Sequence, residues 1–366
     1  MKFAVLFVAT AGLAQAVDLS LLKKHEDRFV NHVKKYNVQI DDDAAFKERL
    51  SVFAKNIEFI NAQNAGNHTY TLGQNQFTHL TFEEFSGMYL TANLAPPNPE
   101  GRKTNNFADA KMADSVDWST SDAVTEVKDQ GACGSCWTFS ATGAVEAAYF
   151  MKNGKQARFS EQQLIDCDNL SHKIKTMNDG CNGGWPYLAL DYIGFEGLCT
   201  EDDYPYTEAS WSHRDTSFSE FMKKPVDSGD DDWYDDDPNR YDTCNMAYNN
   251  CQPVDGTKGL TYTNVENSEE ALAKAVTQQP VSVCVDADAR WQSYAGGIMT
   301  GLTETQLDHA VLAVGFGAEG GQDFWKIKNS WATTWGEDGY IRIERNTNQQ
   351  NGPAGVTSKA LYATLA

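Results

Sequence analysis

All eight cysteines of this 366-residue chain, at 133, 136, 167, 181, 199, 244, 251 and 284, lie beyond residue 112. Cross-linking is therefore confined to the C-terminal part, and the N-terminal part must fold without it. The first sixteen residues, MKFAVLFVATAGLAQA, place one lysine before an apolar run and end on Ala14-Gln15-Ala16, the layout of a secretory signal peptide. An oxidising compartment makes disulfides the default state of the cysteines. Two sequons, at Asn67 and Asn169, fit the same route. No later apolar run has the length of a membrane span.

Charge divides the chain at the same place. Residues 1–111 hold 12 Lys+Arg and 12 Asp+Glu, and residues 112–366 hold 18 and 39, so the net charge of -21 belongs to the cysteine-bearing part. Nucleic acid and anionic membrane are excluded as partners of that surface. A removable leader, residues 17–111, attached to a durable domain, residues 112–366, is the organisation this implies.

In the leader, Phe46, Leu50, Phe53, Ile57 and Ile60 step by 4, 3, 4 and 3, as on one face of an amphipathic helix. Asp42 or Asp43 is placed to cap it. A shorter pattern, Leu22, Phe29, Val33 and Tyr36, precedes it. Periodicity alone describes a small helical unit packing on itself. From about 91 to 111, Pro96, Pro97 and Pro99 and a polar composition describe an exposed, cleavable linker.

The durable domain begins with helical text. Residues 137–151 form an apolar-rich run ending at Gly154, so Cys136 falls at a helix start. Ser160-Glu161-Gln162-Gln163 has capping-box spacing, and Asn267-Ser268-Glu269-Glu270 announces a third helix. PVSVCVDAD, HAVLAVGFG, FWKIKNSW and GYIRIER then read as antiparallel strands. Helices first and strands later make an α+β domain of two lobes.

Cys133 and Cys136 sit three apart in QGACGSCWTFS and admit four readings: metal clip, redox dithiol, disulfide, or one bridged cysteine beside one free. Zinc lacks a second ligand pair, since Cys244 and Cys251 are seven apart and His172 and His213 stand alone. The βαβ context of a thioredoxin-like dithiol is missing. A free thiol at a helix N-terminus faces unpaired N–H groups and the positive dipole end, which favour thiolate. A nucleophile also needs a base and a group to orient that base. His309 heads an apolar strand, and Asn329, twenty residues on, can hold its ring with Trp331 as a shield.

Gln130, Cys133-Gly134-Ser135-Cys136-Trp137, His309 and Asn329-Ser330-Trp331 together resemble the papain family of cysteine proteases. The resemblance implies a helical lobe and an antiparallel β-barrel-like lobe behind a helical inhibitory propeptide. It implies that Cys136 attacks the scissile carbonyl, His309 forms the imidazolium and protonates the leaving amine, and Asn329 orients the ring. Gln130 and the backbone N–H of Cys136 would hold the oxyanion. Cys133 would bridge Cys181, and Cys167 and Cys199 would pair with Cys244 and Cys251 in either order. Cys284 would remain a buried thiol in a specificity-pocket wall. Gly183 and Gly184 would let a peptide backbone approach, Trp185 and Pro186 would line a pocket, and Leu307 and Asp308 would border it. Lys359 would come near the same pocket and favour an acidic side chain there. No cofactor or metal is implied; the partners are peptide or protein substrates and the chain's own leader. A monomer in the lysosome, a vacuole or the extracellular space is expected.

Several positions depart from the family pattern. His309 follows Cys136 by 173 residues, so an insertion intervenes, about 207–243, with eight aspartates between Asp227 and Asp242. It reads as a solvated acidic loop, with calcium binding, repulsion of acidic substrates, or a cap over one cleft end as alternatives. A cap would make an exopeptidase, but only His213 is available there to grip a substrate carboxylate, and the long leader favours an endopeptidase. Ala354 stands near an expected cysteine, and Ala332 replaces a glycine after Asn-Ser-Trp. In the leader, Arg49, Phe53, Asn56, Ile60 and Asn64 match one propeptide motif, with Ala45 in place of glutamate. Gly73, Asn75 and Phe77 match a second, with His79 in place of aspartate, and protonation of His79 near pH 6 is expected to loosen the leader. The rival classes are a catalytically idle acidic binding or storage protein, which does not need all four catalytic residues, and a transglutaminase, which generally orients its histidine with aspartate.

Overall fold

The computed structural model describes residues 19–91, 107, 109–169, 176–207, 244 and 251–366. The expected signal peptide, nearly all of the proline-rich linker, His172, His213 and the acidic insertion beyond Thr207 lie outside the described residues.

The leader forms α1 (Leu19–Tyr36), α2 (Asp43–Asn64), β1 (Tyr70–Leu72) and α3 (Phe82–Tyr89). Asp42 is the cap of α2, its carboxylate accepting the N–H groups of Ala44 and Ala45 at 2.9 and 2.8 Å. Leu50, Phe53, Ile57 and Ile60 are buried on one side of α2, as their spacing predicts. In α1 the buried side differs from the apolar pattern. It carries His25 and His32 beside Phe29, while Leu22 and Val33 are only partly covered. An imidazole ring packs flat against its neighbours as other aromatic rings do, and a count of apolar letters passes over it. Thr81 and Glu84 close a complete capping box on α3.

The leader does not pack only on itself. Phe29, Phe53, Phe77 and Phe85 belong to one buried cluster with Trp291, Trp331, Trp335 and Ile341 of the C-terminal part. Strand β1 pairs antiparallel with β5 (Tyr294–Met299), Tyr70 opposite Gly297 and Leu72 opposite Tyr294.

One lobe of the large domain gathers α4 (Cys136–Asn153), α5 (Glu161–Cys167) and α6 (Pro186–Glu196) around Trp137, Val145, Phe159, Leu164 and Ile193. Helix α4 ends at Gly154, as expected. On α5 only half of the capping box forms. The Ser160 hydroxyl accepts the Gln163 N–H at 3.0 Å, but the Gln163 amide turns to Gly197 and Cys199.

The second lobe is a sheet. Its further elements are β2 (Val116–Asp117), β3 (Thr261–Asn264), α7 (Glu269–Gln278), β4 (Val281–Val285), α8 (Ala289–Gln292), β6 (His309–Glu319), β7 (Gln322–Lys328), β8 (Tyr340–Glu344) and β9 (Leu361–Thr364). The strand order is β1-β5-β8-β7-β6-β4-β9-β3, with β2 also on β6. Every pairing is antiparallel except β5 with β8, which is parallel. The four strands read from the sequence, β4, β6, β7 and β8, pair antiparallel as expected, and the parallel contact belongs to β5, which carries no strand signal in the sequence.

Candidate active site

Cys136 is the first residue of α4, fully buried. Its Sγ lies 3.4 Å from the Ala310 N–H, the residue after His309 at the start of β6. The cleft between the lobes thus brings together a helix N-terminus and a strand N-terminus 173 residues apart.

His309 Nε2 donates to Asn329 Oδ1 at 2.8 Å, and the same oxygen accepts the Ser330 N–H at 2.8 Å, which orients the carboxamide. Asn329 follows the end of β7 directly. Trp331 stacks on the imidazole at 4.6 Å between centroids, keeping water from the bond. With Nε2 carrying the proton, Nδ1 holds a lone pair; it is buried and has no hydrogen-bond partner.

Gln130 is buried with its carboxamide held from both ends. Its Oε1 accepts the Ser330 hydroxyl at 2.6 Å and the Trp331 indole N–H at 3.2 Å. Its Nε2 donates to the Cys133 carbonyl at 2.7 Å and to the Tyr89 carbonyl of the leader at 2.9 Å. Thr91 continues the occupation, with its hydroxyl 3.2 Å from Cys136 Sγ and its N–H donating to the Asp308 carbonyl at 2.6 Å. The leader therefore passes through the cleft, with one of its carbonyls on the Gln130 donor. Thr91, expected as the first residue of an exposed linker, is buried there.

In this covered state burial pushes the Cys136 thiol up to about 11, with Asp308 adding to it and the Thr91 and Ala310 hydrogen bonds opposing it. Burial also lowers His309 to about 4, against the Asn329 bond. Both shifts favour the neutral thiol and the neutral ring over the ion pair expected of a working site. The expected acid response of His79 is likewise corrected. His79 lies 3.1 Å from the buried His32, and burial with Arg49 nearby lowers it to about 4, not near 6.

A pocket beside the sulfur is lined by Gly184, Trp185, Cys284, Leu307, Asp308 and Ala310, with Thr91 entering it. Gly184 is required by packing, since a Cβ there would fall 2.6 Å from the Trp137 ring and from Asn178 Oδ1. Gly183 has a φ of +124°, open to glycine. Pro186 begins α6 and Trp331 lies behind His309, and neither lines this pocket. Disulfides join Cys133 to Cys181, Cys167 to Cys244 and Cys199 to Cys251, leaving Cys136 and Cys284 as free, buried thiols. Ala332, in the glycine position, adopts φ +59°, a strained conformation for an L-residue.

Sequence reasoning missed the residues that hold others in place: Ser330 on Gln130, Tyr206 donating to the Gln130 carbonyl at 2.6 Å, and Gln292, which donates to the Phe77 and Leu80 carbonyls. Ser330 stood inside a quoted motif; Tyr206 and Gln292 carry no local signal.

A thiol, an imidazole and two carboxamides gathered in one cleft define a cysteine hydrolase, here closed by its own N-terminal segment. Residues 112–364 match the papain family cysteine protease model, and residues 29–85 match the cathepsin propeptide inhibitor domain. The chain belongs to the papain family of cysteine proteases and carries the inhibitory propeptide of a zymogen. It is 37% identical to digestive cysteine proteinase 1 of Homarus americanus, covering 100% of both chains. It is 36% identical to the senescence-specific cysteine protease SAG39 of Oryza sativa subsp. japonica, covering 95% of this chain and 91% of that one. Among solved structures, a recombinant stem bromelain precursor and digestive procathepsin L 3 of the Tenebrio molitor larval midgut each superpose with TM-score 0.73 at 31% identity, covering 93% of this chain and 99% of theirs.

Proposed function

We propose that Cys136 is the nucleophile, His309 its acid–base partner, Asn329 the orienting residue and Gln130 the oxyanion donor of an endopeptidase made of residues 112–366. The observation that carries this is the His309 ring, held through Nε2 by Asn329, with its free Nδ1 beside the strand backbone that contacts Cys136 Sγ. Once the leader leaves, the thiol proton passes to Nδ1, and the thiolate is favoured by the α4 N-terminus. Sulfur attacks the peptide carbonyl, and the oxyanion takes the Gln130 Nε2 donor now used by Tyr89, together with the Cys136 N–H. The imidazolium returns its proton to the departing amine, leaving a thioester. His309 then deprotonates a water that attacks the thioester, and the carboxylic product leaves as sulfur regains the proton.

Maturation near residues 110–114 separates the leader from the enzyme. The mature enzyme acts as a monomer on peptides and proteins in a lysosomal or vacuolar compartment or outside the cell, and the sequons at Asn67 and Asn169 carry glycans. The test is alkylation of the leader-free protein with an active-site-directed thiol reagent. Labelling confined to Cys136, lost in His309→Ala, is expected together with peptide hydrolysis. Labelling of Cys284 alone, or none at all, overturns the assignment.

A further inference from the structure

Five residues, 131–135, separate Gln130 from Cys136, with glycines at 131 and 134. Gly131 adopts φ +58°, in the left-handed region that glycine enters freely. Such a loop does not by itself keep a constant distance between the Gln130 carboxamide and the Cys136 N–H. The Cys133–Cys181 disulfide anchors its middle, and one phenol ties its two ends together.

Tyr206 Oη donates to the Gln130 carbonyl at 2.6 Å and lies 2.8 Å from Ser135 Oγ. A phenol has one proton, and that proton is committed to the carbonyl, so Ser135 is the donor to Tyr206. Ser135 is the N-cap of α4, yet its side chain makes no bond to the helix. A serine in that position ordinarily turns its hydroxyl onto the N–H groups of the first turn. Here the phenol draws the hydroxyl away from the helix end that begins with Cys136.

The phenol is itself held in place. Its ring packs edge-on against Phe139 of α4, 5.0 Å between centroids, and against the Cys133–Cys181 bridge with Ile165 of α5. The next residue, Thr207, donates its N–H to Gln162 on α5 at 2.9 Å. Gln130 is gripped from the other lobe as well, its backbone N–H donating to the Ser330 carbonyl at 2.9 Å. Its N–H and its carbonyl are thus tied to different lobes, and its place in the cleft depends on both ties.

We propose that Tyr206 is a positioning residue for the oxyanion site, its single hydroxyl bridging Gln130 to Ser135 and so fixing the spacing between the Gln130 side-chain donor and the Cys136 N–H. An oxyanion donor works at a set distance from the oxygen that develops charge, and small displacements of such a group are costly in rate. This reading rests on the proteolytic function above.

The experiment compares leader-free wild-type enzyme, Tyr206→Phe, Gln130→Ala and the double variant in steady-state peptide hydrolysis. Phenylalanine keeps the ring against Phe139 and the disulfide and removes only the bridge. Tyr206→Phe is expected to lower kcat by about tenfold, less than outright removal of a donor, with KM nearly unchanged. Alkylation of Cys136 by a thiol reagent should keep its wild-type pH profile, because the thiol and the imidazole are untouched. In the Gln130→Ala background the same substitution should cost no more than about twofold, since the side chain it positions is gone. A merely structural role would lower kcat by the same factor in both backgrounds or disturb the alkylation profile; either result overturns the assignment, as does an unchanged kcat. Should Tyr206→Phe fail to fold, Ser135→Ala removes the helix end of the bridge with the phenol in place. A fall in its kcat of about threefold with KM unchanged supports the assignment, and an unchanged kcat overturns it. Wild-type protein whose Cys136 alkylates but which cleaves no peptide overturns the proteolytic reading and this one with it.

Discussion

Gln130 shows how one side chain is given two tasks by its neighbours. Ser330 and Trp331 hold its carbonyl oxygen, which leaves its amino group no direction but the Cys133 carbonyl and the cleft. With the leader in place that amino group binds the Tyr89 carbonyl; in the proposed mechanism it is released to an oxyanion. Gln130→Glu keeps the acceptor oxygen and removes the donor. Leader-free Gln130→Glu should lose about a hundred- to a thousandfold in kcat with little change in KM, measured by steady-state hydrolysis. A fall in KM affinity with unchanged kcat would instead assign Gln130 to ground-state binding. Cys136 and His309 make the complementary point. Burial under the leader favours the neutral form of both groups and so opposes the ion pair that the proposed mechanism needs.

Among the elements, α1 and the turn before α3 meet through a partly buried histidine pair from which a response to acid is expected. His32 on α1 faces His79, with Gln74 3.3 Å from its other ring nitrogen and Tyr36 and Phe53 against its ring. Burial, His79 and Lys35 lower His32 to about 3, and burial and Arg49 lower His79 to about 4, with Glu84 opposing. Both rings take protons more readily in the unfolded leader, near pH 6.5, than in the folded one. The stability they contribute is therefore complete above about pH 6.5 and is lost as pH falls toward 4, since the unfolded state binds more protons. A carboxylate at 79 beside Arg49 removes one of these terms. His79→Asp should move the midpoint of acid-promoted leader release down by about one pH unit, followed by the appearance of leader-free enzyme across a pH series. An unchanged midpoint would exclude the histidine pair as the sensor. The leader's grip comes from β1 on the sheet edge and from Phe77 and Phe85 against Trp331.

Across the whole molecule, the lobes are tied by a buried ionic group below the cleft. Lys128 donates to Glu161 on α5 at 2.8 Å and to Glu146 on α4 at 3.4 Å, and it pairs with Glu201 at 2.9 Å. Lys328, the last residue of β7, donates to Thr125 at 3.0 Å, and Thr125 donates to Glu146 at 2.6 Å. Burial works against the Lys128 charge, yet the three carboxylates hold its ammonium above the usual range. Lys128→Met would strand two carboxylates in the interior and should destabilise the leader-free domain by about 3–5 kcal/mol, read from its denaturant midpoint. A loss below about 1 kcal/mol would mean that the cluster relaxes by taking up protons. At this scale the division between sequence and structure is also clearest. The sequence by itself determined what is local: the turn-by-turn face of α2, the start of α4 at Cys136, its stop at Gly154, the strands β4, β6, β7 and β8, and the letters of the proposed catalytic set. Periodicity and capping act within a few residues, so they can be read in order along the chain. Only the tertiary structure decided which of Cys244 and Cys251 meets Cys167, that β5 runs parallel to β8, and that Thr91 lies on the sulfur. It also decided that His32 and His79 meet as partly buried partners. Each of these depends on distance and loss of water between groups far apart in the chain, and those are set by packing, not by sequence neighbours.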